Sequence, residues 1–394
     1  MRLTIFLALS AACTNASRPS KHFKFRPPSI PLITADPFMQ TFVNGDNVTS
    51  DFVRHWTGSV KQTLGLVRID NASYAFLGAQ ELLPSLVQTS LIVHATRTVV
   101  TLELPKVLSL ELTFLQTAFT DDVYRLSRPV YYVTIGVKSL DGWAHAVQIY
   151  LDASAEHTVN SCYDQAVKWS DWASHGLRGV QIGSAAQDVL GQQCDECNID
   201  WGYLHLAANA SSTATHLRAG SARTSRQHFL LFGSVPSTND TRQPRMCMDD
   251  LPALALSHDM GVVSASYEAK LTALLGYDEV EAIYYFGEEL KGLWRQNYTD
   301  MPSAMAHALA EEEAMLTKSV AHDAALYTAM CKAGGRVCDE YASLGALAYR
   351  QTLGALKVVW VSSRNDCARR TQAQPRLPCL RPASISHAAR VRCC

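Results

Sequence analysis

The sequence predicts a mainly β chain that turns α in its last third, with a large antiparallel β-sandwich followed by helices. Three observations carry that prediction. Leu108, Leu110, Leu112 and Phe114 alternate with Ser109, Glu111 and Thr113, the period of two expected of a strand with one buried face. Comparable runs follow one another from about Leu64 to Leu275 with no helical period between them, which favours an antiparallel sandwich over a parallel α/β sheet. The period then changes near Val280, and Met305, Leu309, Leu316, Val320 and Tyr327 fall at helical spacing.

Taken in order, the chain opens on Met1-Arg2, an apolar run from Leu3 to Ala12 and small residues up to Ser17. This is the pattern of a secretory signal peptide over residues 1–17, and the run falls well short of the ~20 apolar residues a membrane span needs. A sandwich domain is expected over residues 18–280. Its start, residues 21–31, is basic and proline-rich and reads as an extended lead-in rather than an element. Residues 130–137 are β-branched and aromatic, Asp141-Gly142 marks a turn, and Val147, Ile149 and Leu151 then share one face. Weaker strands are expected at 177–183, 203–207, 228–232, 254–258 and 266–275.

A helical domain is expected over residues 281–360, with 279–294 a linking helix at most. Asp300 caps a helix that carries Pro302 in its first turn, and Gly334-Gly335 ends it. A second helix with Tyr341, Leu344, Leu347 and Ala348 on one side runs to about Trp360. The two form an αα-hairpin, which cannot bury its own apolar stripe, so further helices are expected beyond it. Residues 361–394 do not supply them. They are Arg-rich without a lysine, have Asp366 as the one acid, and carry Cys367, Cys379, Cys393 and Cys394 among scattered prolines. The expectation is a disordered tail foreign to the fold before it, such as translated intron or a shifted frame. A regulatory tail or a basic interaction arm is the alternative.

The 394 residues carry a formal net charge of -1, which argues against nucleic acid or an acidic membrane surface as the main partner. Asn47, Asn71, Asn209, Asn239 and Asn297 each begin an Asn-x-Ser/Thr triplet, so a secreted, glycosylated protein is expected. Cys194 and Cys197 lack a second pair at zinc-ligand spacing. Disulfides from them to Cys162 or Cys247 are expected instead, with Cys331 and Cys338 able to staple one helical connection. No metal and no cofactor are expected.

Several strings together resemble a known family. They are Ser29-Ile30-Pro31-Leu32-Ile33-Thr34-Ala35-Asp36-Pro37-Phe38, Arg54-His55-Trp56-Thr57-Gly58, Gly65-Leu66-Val67-Arg68-Ile69-Asp70, Leu126-Ser127-Arg128-Pro129-Val130 and Asp152-Ala153-Ser154-Ala155-Glu156. Ile199-Asp200-Trp201-Gly202-Tyr203, Tyr284-Tyr285-Phe286-Gly287 and Ala346-Leu347-Ala348-Tyr349-Arg350-Gln351 continue the series. In this order, over nearly all of residues 27–357, the set resembles the glutaminase A family of secreted fungal and bacterial proteins. The resemblance implies a β-sandwich followed by a six-hairpin (α/α)6 toroid like that of several glycoside hydrolases. It also implies hydrolysis of the small molecule L-glutamine to L-glutamate and ammonia. The sequence leaves the family pattern after Lys357, so the toroid is expected to be incomplete and catalysis by this chain impaired. A carbohydrate-active or carbohydrate-binding protein of the same architecture, and a non-catalytic sandwich module, are the competing readings.

Glutamine hydrolysis needs an activated nucleophile or water, a proton donor for ammonia, and donors for an oxyanion. No Gly-x-Ser-x-Gly elbow is present. Asp200 beside Trp201 and Tyr203 is a candidate acid with two aromatics to hold a substrate, and Gly202 would allow close approach. The alternative is an acid capping a turn while Trp201 fills the core. Asp152 and Glu156 end a strand and are further catalytic candidates, unless they serve Arg128 or backbone amides. Arg54, His55 and Trp56 are candidate substrate-binding residues, with His55 able to shuttle a proton or simply to pack. Asp249-Asp250 reads as a loop pair with Arg245 as partner, and residues 311–313, all Glu, as a solvated helix face.

Overall fold

The computed structural model of the chain describes residues 27–191, 198–285 and 287–361, and the backbone of a two-residue strand at Ala383–Ser384. A small antiparallel sheet joins β1 (Ser29–Thr34), β2 (Gln40–Asn44) and β3 (Val53–His55). Next come β4 (Thr63–Ile69), β5 (Ala72–Leu77), β6 (Val87–Val93), β7 (Arg97–Leu104), β8 (Leu108–Gln116) and a short helix α1 (Val123–Ser127). Then β9 (Val130–Ser139), β10 (His145–Ser154), β11 (Ala166–Ser174), β12 (Leu177–Ser184), β13 (Tyr203–Asn209) and β14 (Thr215–Ser221) lead to helix α2 (Ala222–Phe232). The sandwich closes with β15 (Arg245–Met246), β16 (Pro252–Val263) and β17 (Ala269–Asp278).

Two sheets face each other. One has the order β14-β16-β10-β4-β5 and the other the order β15-β11-β12-β13-β17-β9-β8-β7-β6, with antiparallel neighbours throughout. Leu110, Ile135, Ile149 and Leu256, each fully buried, belong to the core between them. Burying one such side chain contributes about 1.5–3 kcal/mol. The period of two is visible at two adjacent residues of β9. Tyr131 joins the core between the sheets, whereas Tyr132 points to the opposite face of the larger sheet. There it packs in one cluster with Trp294, Met301 and Met305, so that sheet is covered on both sides. The smaller sheet is covered on its outer side at Leu66, Tyr150 and Ala255 by Phe229 of α2.

The helical part is α3 (Met301–Ala310), α4 (Glu312–Gly334) and α5 (Cys338–Gly354), followed by β20 (Leu356–Lys357). Asp300 caps α3 by accepting from the Ser303 amide at 2.8 Å, with Pro302 in the first turn. α4 and α5 form the expected hairpin across Gly334–Gly335, and Cys331 is bonded to Cys338. Two polar anchors fix the hairpin to the sandwich. The buried Arg350 donates to Thr34 Oγ1 (3.1 Å), Thr98 Oγ1 (2.6 Å) and the Leu32 carbonyl (3.0 Å). Asp323 accepts from the Thr96 amide (3.0 Å) and from Arg97 (2.9 Å).

Some elements differ from the sequence reading. Residues 228–232 are the end of α2, not a strand. Ser221 caps this helix through the Thr224 amide and Gly233 closes it at φ +75, and these caps outweigh the β-leaning run His228–Phe232. Residues 29–31 are strand, with Pro31 beside the register slip between Pro31 and Ile33, where a strand tolerates proline. Residues 279–294 contain a β-hairpin, β18 (Ile283–Tyr285) with β19 (Glu288–Leu290), rather than a helix. The second hairpin helix stops at Gly354, because the backbone extends at Leu356 to place Lys357. Cys162 is bonded to Cys247, while Cys194 and Cys197 lie outside the described residues. The signal segment and residues 362–382 and 385–394 lie outside them too. No helix among the described residues is long and apolar enough to cross a membrane.

Candidate functional site

Several of the strings that carried the resemblance, far apart in sequence, meet at the junction of sheet and helices. After β1 the chain turns on Asp36, whose Oδ1 accepts from the amides of Phe38 (2.8 Å) and Met39 (3.0 Å). Trp56 Nε1–H donates to the Pro37 carbonyl at 2.8 Å, and His55 Nε2 lies 2.9 Å from the same oxygen. The carbonyl can only accept, so His55 carries its proton on Nε2. Phe38 then meets Trp201 edge-to-face, with ring centroids 5.5 Å apart. Trp201 donates to the Glu281 carbonyl (2.9 Å) and accepts from the Tyr277 hydroxyl through its own carbonyl (2.7 Å). Gly202 has φ +80, and a Cβ there would stand 2.1 Å from the Asp278 carbonyl oxygen, so glycine alone fits.

At the centre stands Lys357. Its ammonium bonds Asp36 Oδ2 at 2.6 Å and also Glu279, and all three side chains are buried. Two carboxylates against one ammonium leave a net charge of −1 away from water, which is costly. Burial therefore pushes Glu279 up, Lys357 opposes the rise and Asp36 adds to it, leaving its pKa at about 7. Burial alone would lower the Lys357 pKa, but the two carboxylates outweigh burial and raise it. Beside the triad is a cavity of ≈ 40 Å³, lined also by Tyr131, Gln116, Arg128 and Trp294. The Tyr131 hydroxyl is buried with no hydrogen-bond partner among the described residues. The space suits one or two waters. The arrangement can hold one exchangeable proton near neutrality next to that space.

The residues named from the sequence fall into separate groups. Asp152 is fully buried and accepts from Arg226 Nε (2.7 Å) and NH2 (3.1 Å), Tyr150 OH (2.7 Å) and the Leu64 amide (3.3 Å). Four donors saturate a carboxylate. Glu156 lies near it, accepting from the Gln62 amide (2.8 Å) and Ser154 Oγ (2.7 Å), and burial raises its pKa. Neither acid is joined to Arg128, which pairs with Glu311 at 2.7 Å. Asp200 accepts from Gln165 at 3.1 Å through Oδ2. Its Oδ1 is buried without a partner among the described residues, and burial raises its pKa. Tyr203 begins β13 opposite Asp278. Arg54 pairs with Asp51 at 2.9 Å. His55 is held neutral, its pKa lowered to about 4 by burial and by Lys61.

Glu311 is not on a solvated face as expected; it is tied to Arg125 and Arg128 across to α1. Glu312 likewise takes Lys270 at 2.7 Å. Asp249 has the expected Arg245 partner at 2.8 Å, and Asp250 takes Arg223. Asn71, Asn209 and Asn297 are exposed, Asn47 is half-buried, and half-buried Asn239 accepts from the Ala219 amide at 2.8 Å. Cys331, Cys338 and Asp339 come together, but both sulfurs are spent in the disulfide and cannot ligate a metal. Asp36, Glu279 and Lys357 were not singled out from the sequence. The available signal was a lone lysine inside the apolar run Leu356-Lys357-Val358-Val359-Trp360, since a lysine in such a run needs a buried counter-charge.

The fold and junction define a two-sheet β-sandwich that carries a helical extension sealed to it by buried ion pairs. The chain belongs to the family described as Domain of unknown function (DUF5127), which matches residues 96–329. Residues 5–88 match a second, described as Domain of unknown function (DUF4964). A curated relative, glutaminase A of Aspergillus oryzae (strain ATCC 42149 / RIB 40), is 24% identical over 369 residues, covering 90% of this chain and 52% of the relative. The glutaminase A resemblance thus holds at family level, and the chain spans about half the length of that relative. A solved putative kojibiose phosphorylase from human microbiome aligns with 83% of this chain and 39% of its own at 7% identity. Its TM-score of 0.42 carries no argument.

Proposed function

We propose that this chain is the β-sandwich half of a secreted glutaminase A-like amidohydrolase, which converts L-glutamine to L-glutamate and ammonia. The observation that carries the reading is the similarity to glutaminase A along 90% of the chain, and several of the strings behind it meet at the Asp36–Glu279–Lys357 junction. The ≈ 40 Å³ cavity at that junction has room for one or two waters and is too small for an amino acid. Glutamine hydrolysis therefore draws on the part of the relative that this chain does not span, completing a six-hairpin helical domain begun by α3, α4 and α5. Of the acids named from the sequence, Asp200 suits proton donation best, having a raised pKa and an oxygen with no partner among the described residues. The five Asn-x-Ser/Thr sites beyond residue 17 and the 1–17 segment support secretion.

Ammonia release tests this reading. It is measured on the purified chain and on the chain joined after Lys357 to the second half of the Aspergillus relative. The joined protein is expected to release ammonia from glutamine and the chain alone is not, and Asp200→Asn in the joined protein should lower the rate ~10²-fold. A folded joined protein that cleaves aryl glycosides and leaves glutamine intact would favour the carbohydrate-active reading instead.

A further inference from the structure

The outer face of the smaller sheet carries a second feature, unconnected with the junction. α2 covers only part of that face, the apolar part at Leu66, Tyr150 and Ala255. Beyond the end of the helix the next row of the sheet is polar. Arg68 of β4 stands opposite Gln148 of β10, and Gln148 stands opposite Asp259 of β16. Neighbouring strands are ~4.8 Å apart, so the three side chains span about 10 Å across the sheet. They line a depression of ≈ 290 Å³ with His216 and Ser257, and Phe232 stands at its edge. That volume is close to the lower bound for small-molecule sites, roughly 300 Å³.

Ser257 and Asp259 already accept from the Val235 and Gly261 amides, but Arg68 is poorly satisfied by the protein itself. Arg68 makes only long bonds, 3.3 Å to Gln148 and 3.5 Å to the Leu231 carbonyl. Its Nε is buried with no partner among the described residues. A guanidinium with no carboxylate on it costs stability unless something else satisfies its donors. Phe232 is 66% exposed, with one side of its ring against His228 at 4.7 Å between centroids. Gly233 turns the chain at φ +75 directly above Gln148, where a Cβ would lie 3.1 Å from the amide oxygen. The turn thus fixes where the Phe232 ring stands relative to the polar row.

We propose that this depression binds a neutral, ring-shaped polyhydroxyl compound, a sugar residue. The Arg68 and Asp259 charges cancel, which disfavours a simple anion. Arg, Gln and Asp side chains are planar and can each meet two adjacent hydroxyls, and an exposed aromatic ring offers an apolar platform for the C–H face of a sugar. The proposal is independent of the glutamine reading, since it uses none of the junction residues.

Ligand-observed NMR on the purified chain tests it, with methyl α-glucoside, maltotriose, cellotriose, mannotriose and xylotriose as probes and inorganic phosphate and L-glutamate as anionic controls. The expected result is saturable binding of at least one saccharide, weakened tenfold or more by Phe232→Ala and by Arg68→Gln. Tyr284→Ala, an exposed aromatic on the β18–β19 hairpin, should leave it unchanged, and Phe232 is exposed enough for its variant to fold. Three outcomes overturn the proposal. They are no binding by any saccharide, binding that both variants leave intact, and binding of the anions alone.

Discussion

At the level of single residues, the protein buries some of its charge in clusters. Lys357, Glu279 and Asp36 form a three-membered ion cluster with one carboxylate in excess. The pH dependence follows from Glu279. Its folded pKa of about 7 lies above the ordinary value of 4.5, so its contribution to stability is complete below about pH 4.5 and is lost as pH rises through about 7. Glu279→Gln removes that slope. The variant should match the parent at pH 5 and exceed it at pH 8, by on the order of 1–3 kcal/mol, as read by paired denaturant titrations at the two pH values. A constant difference between the two proteins would show that Glu279 does not take up a proton on folding. Lys357→Met should cost about 3–5 kcal/mol, because it strands two buried acids. Little of this was legible in the sequence. Asp36 lay within a recognised string, but nothing local marks an acid whose partners are more than two hundred residues away. Trp201 was easier, and the core-filling alternative raised for it is what its burial shows, while Asp200 beside it keeps an oxygen that is unpaired among the described residues.

The strands were the most legible elements, because burial on one or both faces writes itself into the sequence at a period of two. β8 alternates in residue type but not in burial, since the larger sheet is covered on both faces and only Glu111 of the strand is exposed. β9 is buried at Val130 to Val133 and alternates only from Thr134. The failures were local contests. Residues 228–232 look β-like, yet a Ser221 cap and a Gly233 stop make them helix, and Ser221→Ala should cost ~1 kcal/mol in denaturant unfolding. The α4–α5 hairpin was foreseen from its Gly-Gly turn, but not its attachment to β1 and β7 through Arg350 and Asp323. Val320, Tyr327, Tyr341 and Leu344 remain half exposed, so these polar anchors replace part of the apolar packing that a free hairpin lacks. Asp323→Asn should therefore loosen the hairpin without unfolding the sheets. In hydrogen exchange the amides of α4 and α5 should exchange faster while those of β8, β9 and β17 keep their protection. Equal acceleration everywhere would mean that helices and sandwich unfold as one unit.

For the whole molecule, the order of sheets and helices could be read from changing periodicity, and the family from strings in a fixed order. The layering could not, since four layers arise only once Tyr131 and Tyr132 are seen to serve opposite faces of one strand. The junction brings together strings as far apart as residues 29–38 and 346–351. The strings at 29–38, 54–58, 126–130, 199–203 and 346–351 shape or surround the seat of Lys357, the step from sandwich to helices, whereas 65–70 and 152–156 belong to the smaller sheet. If the helical half of a glutaminase A-like enzyme is built from that step, activity depends on the seat even though no substrate touches it. The most direct measurement is the rate of ammonia release from L-glutamine by this chain joined after Lys357 to the second half of the Aspergillus relative, with and without Lys357→Met. The joined parent should release ammonia, and the variant should lose at least tenfold while circular dichroism shows its strands intact. A variant as active as its parent, or a folded parent that leaves glutamine untouched, would contradict the account.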